Sequence, residues 1–333
     1  MTASIARAVP EAARVLAAHG ARRVAVAACL GDDVWTHGES DDIYELGSVT
    51  KVFVGSLLAD FAERGLVSVD DTVVQHLPFA AAELGVTLAE LATHTSGLPR
   101  LPDNFREFMP DRRDPFAAYG EEALVAALRR ARPVRAAGRH VYSNFGFAVL
   151  GYVLACRGGA SLGRLIQERV CAPLSLRDTS FHLDAERAAR LVTGHTWRGK
   201  AVPHWSYGVF DAAGALKSTA RDSLQFLRAQ TRAESPLARA FLRARTQTWR
   251  GRSFSLGLGW FLSQLDGLVE VWHTGATGGF ASYAGFVPDR DAGVVVLVDH
   301  GLSLWGAFVD NPVERSARRL LRVLAAEAGA RSG

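Results

Sequence analysis

The sequence predicts a mixed α/β (α+β) protein: an antiparallel sheet built from the N- and C-terminal segments, flanked by helices, with a mostly helical lobe inserted between them. Three observations predict it. β-type runs stand near the start, at 24–30 and 34–37, and cluster again beyond residue 254. The stretch between, about 71–245, carries helical periodicity interrupted by Pro- and Gly-containing loops. A chain of 333 residues with 48% apolar content can bury a large core. The expected arrangement is one domain over 1–333, with 1–70 and 246–333 forming the α/β lobe and 71–245 the mainly helical lobe.

Each element has its own reason. The first residues, "MTASIARAVPEAARVLAAHGARR", have Glu11 and Arg14 inside what would be the apolar part of a leader peptide, so they read as an amphipathic helix. "VAVAACL" and "VWTH" are short β-type runs split by "GDD", a hairpin turn. After Ser48, the apolar residues Val52, Phe53, Leu57, Leu58 and Phe61 recur at helical spacing, and Gly65 ends the run. "EEALVAALRRA" (121–131) and "NFGFAVLGYVLACRG" (144–158) are the clearest helices of the middle. Pro99, Pro102 and Pro110 mark a long loop before them. "FSLGLGWFLS", "LVEVWHTG", "SYAGFVPD" and "AGVVVLVDH" are four β-type runs at regular spacing, and "NPVERSARRLLRVLAAEA" closes the chain as an amphipathic helix.

Composition excludes several classes. The net charge of +4 is spread along the chain without a basic stripe or arm, so no nucleic-acid partner is expected. No run approaches the roughly 18 apolar residues of a membrane span, so no membrane partner is expected, and the location expected is cytoplasmic. Cys29, Cys156 and Cys171 are an odd number at unrelated spacings, which suggests neither a disulfide framework nor a zinc ribbon. His76, His94, His182, His195 and His204 show no metal-ligand spacing, so neither metal nor cofactor is expected. Phe105, Phe108, Trp205, Tyr207 and Phe210 fall in loops of the helical lobe, where they either line an acyl pocket or simply pack.

The chemistry starts at Ser48-Val49-Thr50-Lys51. On a helix, Ser48 and Lys51 stand about 60° apart on one face, one turn apart. A serine hydroxyl becomes a nucleophile when a neighbour takes its proton, and a desolvated lysine can do so. The alternative is a serine that caps the helix and a lysine that reaches solvent from the first turn. Lysine is scarce here, three against 35 arginines, and arginine cannot give up its proton. Tyr142-Ser143-Asn144 precedes a helix, and His273-Thr274-Gly275 ends a β-type run; alone, these read as a cap and a turn.

In the order Ser-x-x-Lys, Tyr-x-Asn, His-Thr-Gly, the three elements resemble the active-site signature of the penicillin-recognising serine enzymes. Tyr-x-Asn is the class C form. The chain therefore resembles the class C β-lactamase family, from about residue 20 to 325, and "LATHTSGLP", "GALKSTARDSLQFL" and "FVPDRDAGVVVLVD" look like further family segments. The resemblance implies a β-lactamase/transpeptidase-like fold in which Ser48 attacks a carbonyl and Lys51 and Tyr142 share the acid and base work. It also implies that Asn144 bonds Lys51 and the acyl side of the substrate. The backbone N–H groups of Ser48 and Ala276, the latter on the run carrying His273, Thr274 and Gly275, would form the oxyanion hole.

One departure shapes the functional expectation. True class C β-lactamases carry Lys-Thr-Gly, and His273 replaces that permanent cation with a group mostly neutral at pH 7. It attracts a carboxylate less, though it can donate one hydrogen bond. The expected function is a serine hydrolase acting on a small-molecule ester or amide or on a peptide. An acyltransferase passing the acyl group to an amine or alcohol is the alternative. A β-lactamase or D-alanyl-D-alanine carboxypeptidase proper stands behind both.

Overall fold

The structure is a computed structural model that describes residues 2–303 and 311–332. Among the described residues ten strands are formed: β1 Val24–Leu30, β2 Asp33–His37, β3 Tyr44–Glu45, β4 Lys217–Ser218, β5 Trp249–Arg250, β6 Ser255–Leu256, β7 Phe261–Leu265, β8 Leu268–Ala276, β9 Ala281–Val287 and β10 Ala292–Val298. The longer helices are α1 Thr2–Ala18, α2 Thr50–Glu63, α3 Glu121–Leu128, α4 Asn144–Gly158, α5 Ala220–Thr231, α6 Ala238–Arg245 and α7 Pro312–Ser332.

Eight strands make one antiparallel sheet in the order β2-β1-β10-β9-β8-β7-β6-β5, while β3 and β4 pair separately. The two ends of the chain meet where β1 pairs β10, from Val24 opposite Val298 to Leu30 opposite Ala292. This is the expected mixed α/β architecture. Alternate residues of a strand point to opposite faces, and here both faces are covered. Ala25, Ala27 and Cys29 of β1 join Val295 and Leu297 of β10 in the core that includes α2 and α5. Val26, Ala28 and Leu30 join Val294, Val296 and Val298 under α1 and α7. That double burial is why β10 reads as a continuous apolar run.

Helix α2 is the centre of the molecule. Every residue from Thr50 to Phe61 is buried, so it is apolar nearly all round. It closes with the Gly65 N–H on the Ala62 carbonyl and the Leu66 N–H on the Phe61 carbonyl.

One expectation needs correction. "FSLGLGWFLS" is not one strand: residues 257–260 leave the sheet between β6 and β7 and pack beneath α2. A Cβ on Gly55 would lie 2.0 Å from the Leu258 carbonyl oxygen, so helix and loop touch backbone to backbone. Helix α5 packs against β1 and β10, through Leu227 beside Gly293 among others.

Candidate active site

Ser48 sits in a 3₁₀ turn, Gly47–Val49, that leads into α2. The cap position of α2 falls to Val49 and carries no side-chain cap bond, so Ser48 does not serve as a cap. Its hydroxyl is engaged elsewhere: the Tyr142 hydroxyl donates to Ser48 Oγ at 2.7 Å, and Lys51 Nζ lies 3.0 Å from the same oxygen. Lys51 is fully buried and does not reach solvent.

Lys51 Nζ has two other partners, Asn144 Oδ1 at 3.0 Å and the Ala213 carbonyl at 2.6 Å, and both can only accept. A neutral amine has two N–H bonds and one lone pair. With the two N–H bonds on Asn144 and Ala213, the lone pair faces the Ser48 hydroxyl. Burial, aided by the positive charge of Arg100, holds the Lys51 pKa well below its ordinary 10.5 and so favours that neutral form.

Tyr142 reaches the site from the turn before α4. Ser143 caps that helix, its Oγ accepting from the Gly146 N–H at 2.8 Å and donating to the Pro99 carbonyl at 2.6 Å. Asn144, the first helical residue, is thereby aimed at Lys51. His94 backs Tyr142 with its ring centroid 4.2 Å away, and its Nδ1 accepts from the Ser143 N–H at 3.1 Å. Burial pushes the Tyr142 hydroxyl up to about 12, against the lowering effects of Ser48 and Arg100, so it holds its proton at neutral pH. Burial holds the His94 pKa well below 6.5 and so keeps its ring neutral.

The end of β8 supplies the opposite wall. Thr277 N–H bonds the Phe280 carbonyl at 3.0 Å, which makes that pair a hydrogen-bonded one in the β8–β9 ladder. Antiparallel pairs alternate, so the next pair, Ala276 opposite Ala281, directs its N–H and C=O away from β9. On that side β7 has already ended, at Phe261 opposite Trp272. Gly47 occupies the space instead: with φ of +50°, a Cβ there would stand 2.7 Å from Ala276 N. A Cβ on Gly275 would fall 2.0 Å from the Leu46 carbonyl oxygen and 3.0 Å from Ser48 N. The two glycines let the Ser48 and Ala276 amides come together beside Ser48 Oγ.

His273 is buried on the same strand, and its Nδ1 lies 2.5 Å from the Thr274 carbonyl. A carbonyl only accepts, so Nδ1 carries the proton and Nε2 is left as an acceptor, buried and with no partner among the described residues. The one hydrogen bond His273 donates is thus spent on its own strand. Burial, and secondarily Lys51, lower its pKa to about 3.

These groups border a cavity of about 510 Å³ that contains Ser48, Tyr142, His273, Thr274, Gly275 and Ala276. Its remaining lining includes residues the sequence did not single out: Arg100, His140, Phe254, Phe261, Trp272 and Glu314. Phe261 and Trp272 are cross-strand partners, stacked at 5.1 Å, and no spacing in the sequence reveals that register. The five aromatics considered as pocket residues pack instead with one another and with Phe116 and Tyr119. Phe116 stacks on Tyr207 at 5.0 Å and lies 5.1 Å from Phe210 and 5.7 Å from Trp205. Phe105 lies 5.3 Å from Phe116, and Phe108 lies 5.5 Å from Tyr119.

The profile of the β-lactamase family matches residues 8–319. The chain belongs to the β-lactamase family. Relatives within the family include a β-lactamase of Escherichia coli (strain K12), 28% identical over 298 residues covering 77% of this chain and 75% of the relative. The D-alanyl-D-alanine-carboxypeptidase/endopeptidase AmpH of the same organism is 25% identical over 279 residues, covering 78% and 71%. Among solved structures, the class C β-lactamase from Rhodobacter sphaeroides superposes with a TM-score of 0.80 at 25% identity, over 95% of this chain and 98% of that one. β-Lactamase-fold proteins of this family are serine hydrolases, and the antiparallel eight-stranded sheet with its covering helices is the class C fold.

Proposed function

We propose that this protein cleaves an ester or amide through a covalent acyl-Ser48 intermediate. The observation that carries the reading is the buried Lys51 amine, 3.0 Å from Ser48 Oγ and bonded on its other sides to two groups that only accept. Lys51 takes the Ser48 proton as Oγ bonds to the substrate carbonyl carbon. The resulting oxyanion lies between the Ser48 and Ala276 N–H groups. When the intermediate collapses, Tyr142 gives its proton to the leaving alcohol or amine and recovers one from the Lys51 ammonium through solvent. Water then attacks the acyl carbon with the proton transfers reversed. Proton transfer by such positioned groups is worth roughly 10²–10⁴ in rate. Asn144 holds Lys51 through Oδ1 and has the NH2 end of its amide to offer the substrate.

Relatives bear the names of β-lactamase and D-alanyl-D-alanine carboxypeptidase, and a neutral His273 argues against a substrate carboxylate on the β8 side. A simple ester or amide fits that wall better. Acyl transfer is the second reading, favoured by the aromatic wall of Phe254, Phe261 and Trp272, which suits an organic amine or alcohol better than water. The experiment is product analysis on p-nitrophenyl esters, D-amino-acid amides and nitrocefin, with and without an added amine. Free acid as the sole product at every amine concentration supports hydrolysis. A new amide that replaces the acid supports transfer, and no turnover of any ester or amide contradicts both.

A further inference from the structure

We propose that Arg100 is the specificity-determining cation of this site, reading an anionic group of the substrate from the Tyr142 wall of the cavity rather than from strand β8. The inference rests on the reading of Ser48 as nucleophile and adds the substrate class. Among the described residues that line the cavity, Arg100 is the one arginine or lysine. His273 and His140 are held neutral by burial, and Lys51 lies beneath the floor with its charge disfavoured.

The other polar walls turn an anion away. Glu314 on α7 presents a carboxylate, and His273, held neutral by burial, offers no positive charge. Arg100 is also set in place by its own backbone. Its carbonyl accepts the Asn144 and Phe145 N–H groups at 3.0 and 3.1 Å, which ties the residue to the start of α4. Its guanidinium carbon stands 5.4 Å from the centre of the Tyr142 ring. A substrate suited to these walls carries a carboxylate or similar anion on the Tyr142 side.

Boronic acids test this without knowledge of the natural substrate, because an activated serine adds to boron and the adduct blocks labelling by a fluorophosphonate. Inhibition constants are measured for phenylboronic acid and its 3- and 4-carboxy derivatives. The wild-type protein should prefer at least one carboxylated compound by about tenfold, the usual scale of a charge-assisted bond. In Arg100→Gln the ratio should fall to near one, and Arg100→Lys should keep part of it. A ratio unchanged in Arg100→Gln, or no preference in the wild type, overturns the assignment to Arg100. Binding of neither boronate class, with labelling that persists in Ser48→Ala, overturns the nucleophile itself and this inference with it.

Discussion

Lys51 Nζ lies 3.0 Å from Ser48 Oγ in a fully buried position, and none of its recorded partners is a carboxylate. A buried ammonium without an anion is unfavourable, so the fold itself prepares a free amine beside the hydroxyl. The scarcity of lysine in this arginine-rich chain gains a physical meaning at this position, because a guanidinium would stay protonated.

Lys51→Arg should therefore fail as a catalyst, with a lowered melting temperature from its permanent buried charge. Acylation by p-nitrophenyl acetate, followed as a single turnover, should slow by about 10²–10⁴ because the cation cannot take the serine proton. Retention of more than a tenth of the rate, with the fold intact by circular dichroism, would show that another group is the base.

The pH dependence follows from the same pair. Protonated Lys51 has no lone pair, so activity is absent below its folded-state pKa and rises as pH passes through it, at a point well below 10.5. Tyr142 must keep its proton, and at about 12 it does so across the working range. With His273 near 3, neither ring nor phenol supplies a descending limb. The profile of kcat/KM should climb once and stay level to roughly pH 10, whereas a bell falling between about pH 7 and pH 9 would contradict it.

The amide pocket depends on two backbones that touch. Gly275→Ala places a methyl 2.0 Å from the Leu46 carbonyl oxygen, so the Ser48 turn and the end of β8 must separate. Losing one oxyanion donor costs about 2.7–4 kcal/mol of barrier, and kcat should drop by about 10²–10³. Fluorophosphonate labelling rates with thermal melts separate this from unfolding. A variant with wild-type kcat would place the oxyanion elsewhere.

His273→Lys restores a cation on β8. Acylation by nitrocefin, which carries a carboxylate, should rise by about tenfold relative to a neutral ester, as expected for one added charge-assisted contact. An unchanged ratio would mean that position 273 does not face the anion.

Much of this was legible because local pattern and long-range role coincide. Asn144–Gly158 forms over the residues whose periodicity marks it, and β10 is apolar throughout because helices cover both its faces. The Tyr142, Ser48, Lys51 and Asn144 side chains lie within hydrogen-bond distance of one another in turn, and His273 borders the same cavity. What stayed hidden depends on contacts between distant segments. The break at 257–260 exists because Leu258 lies against Gly55, about two hundred residues earlier in the chain, and a hydropathy pattern cannot record that approach. Helix α5 looks like any amphipathic helix until its partner strands are known. Phe261 and Trp272 become a wall through strand register alone, and Arg100 becomes significant only when its carbonyl is seen to anchor α4. The His273 tautomer depends on a bond to its own neighbour, which residue identity alone does not reveal.

The central claim is that Ser48 carries the acyl group. Rapid quench after mixing with a p-nitrophenyl ester, followed by intact-mass measurement and peptide mapping, tests it directly. The account predicts one acyl mass on the wild-type protein, located at Ser48, and neither adduct nor turnover in Ser48→Ala. An adduct mapped to another residue, or turnover that persists in Ser48→Ala, would contradict it.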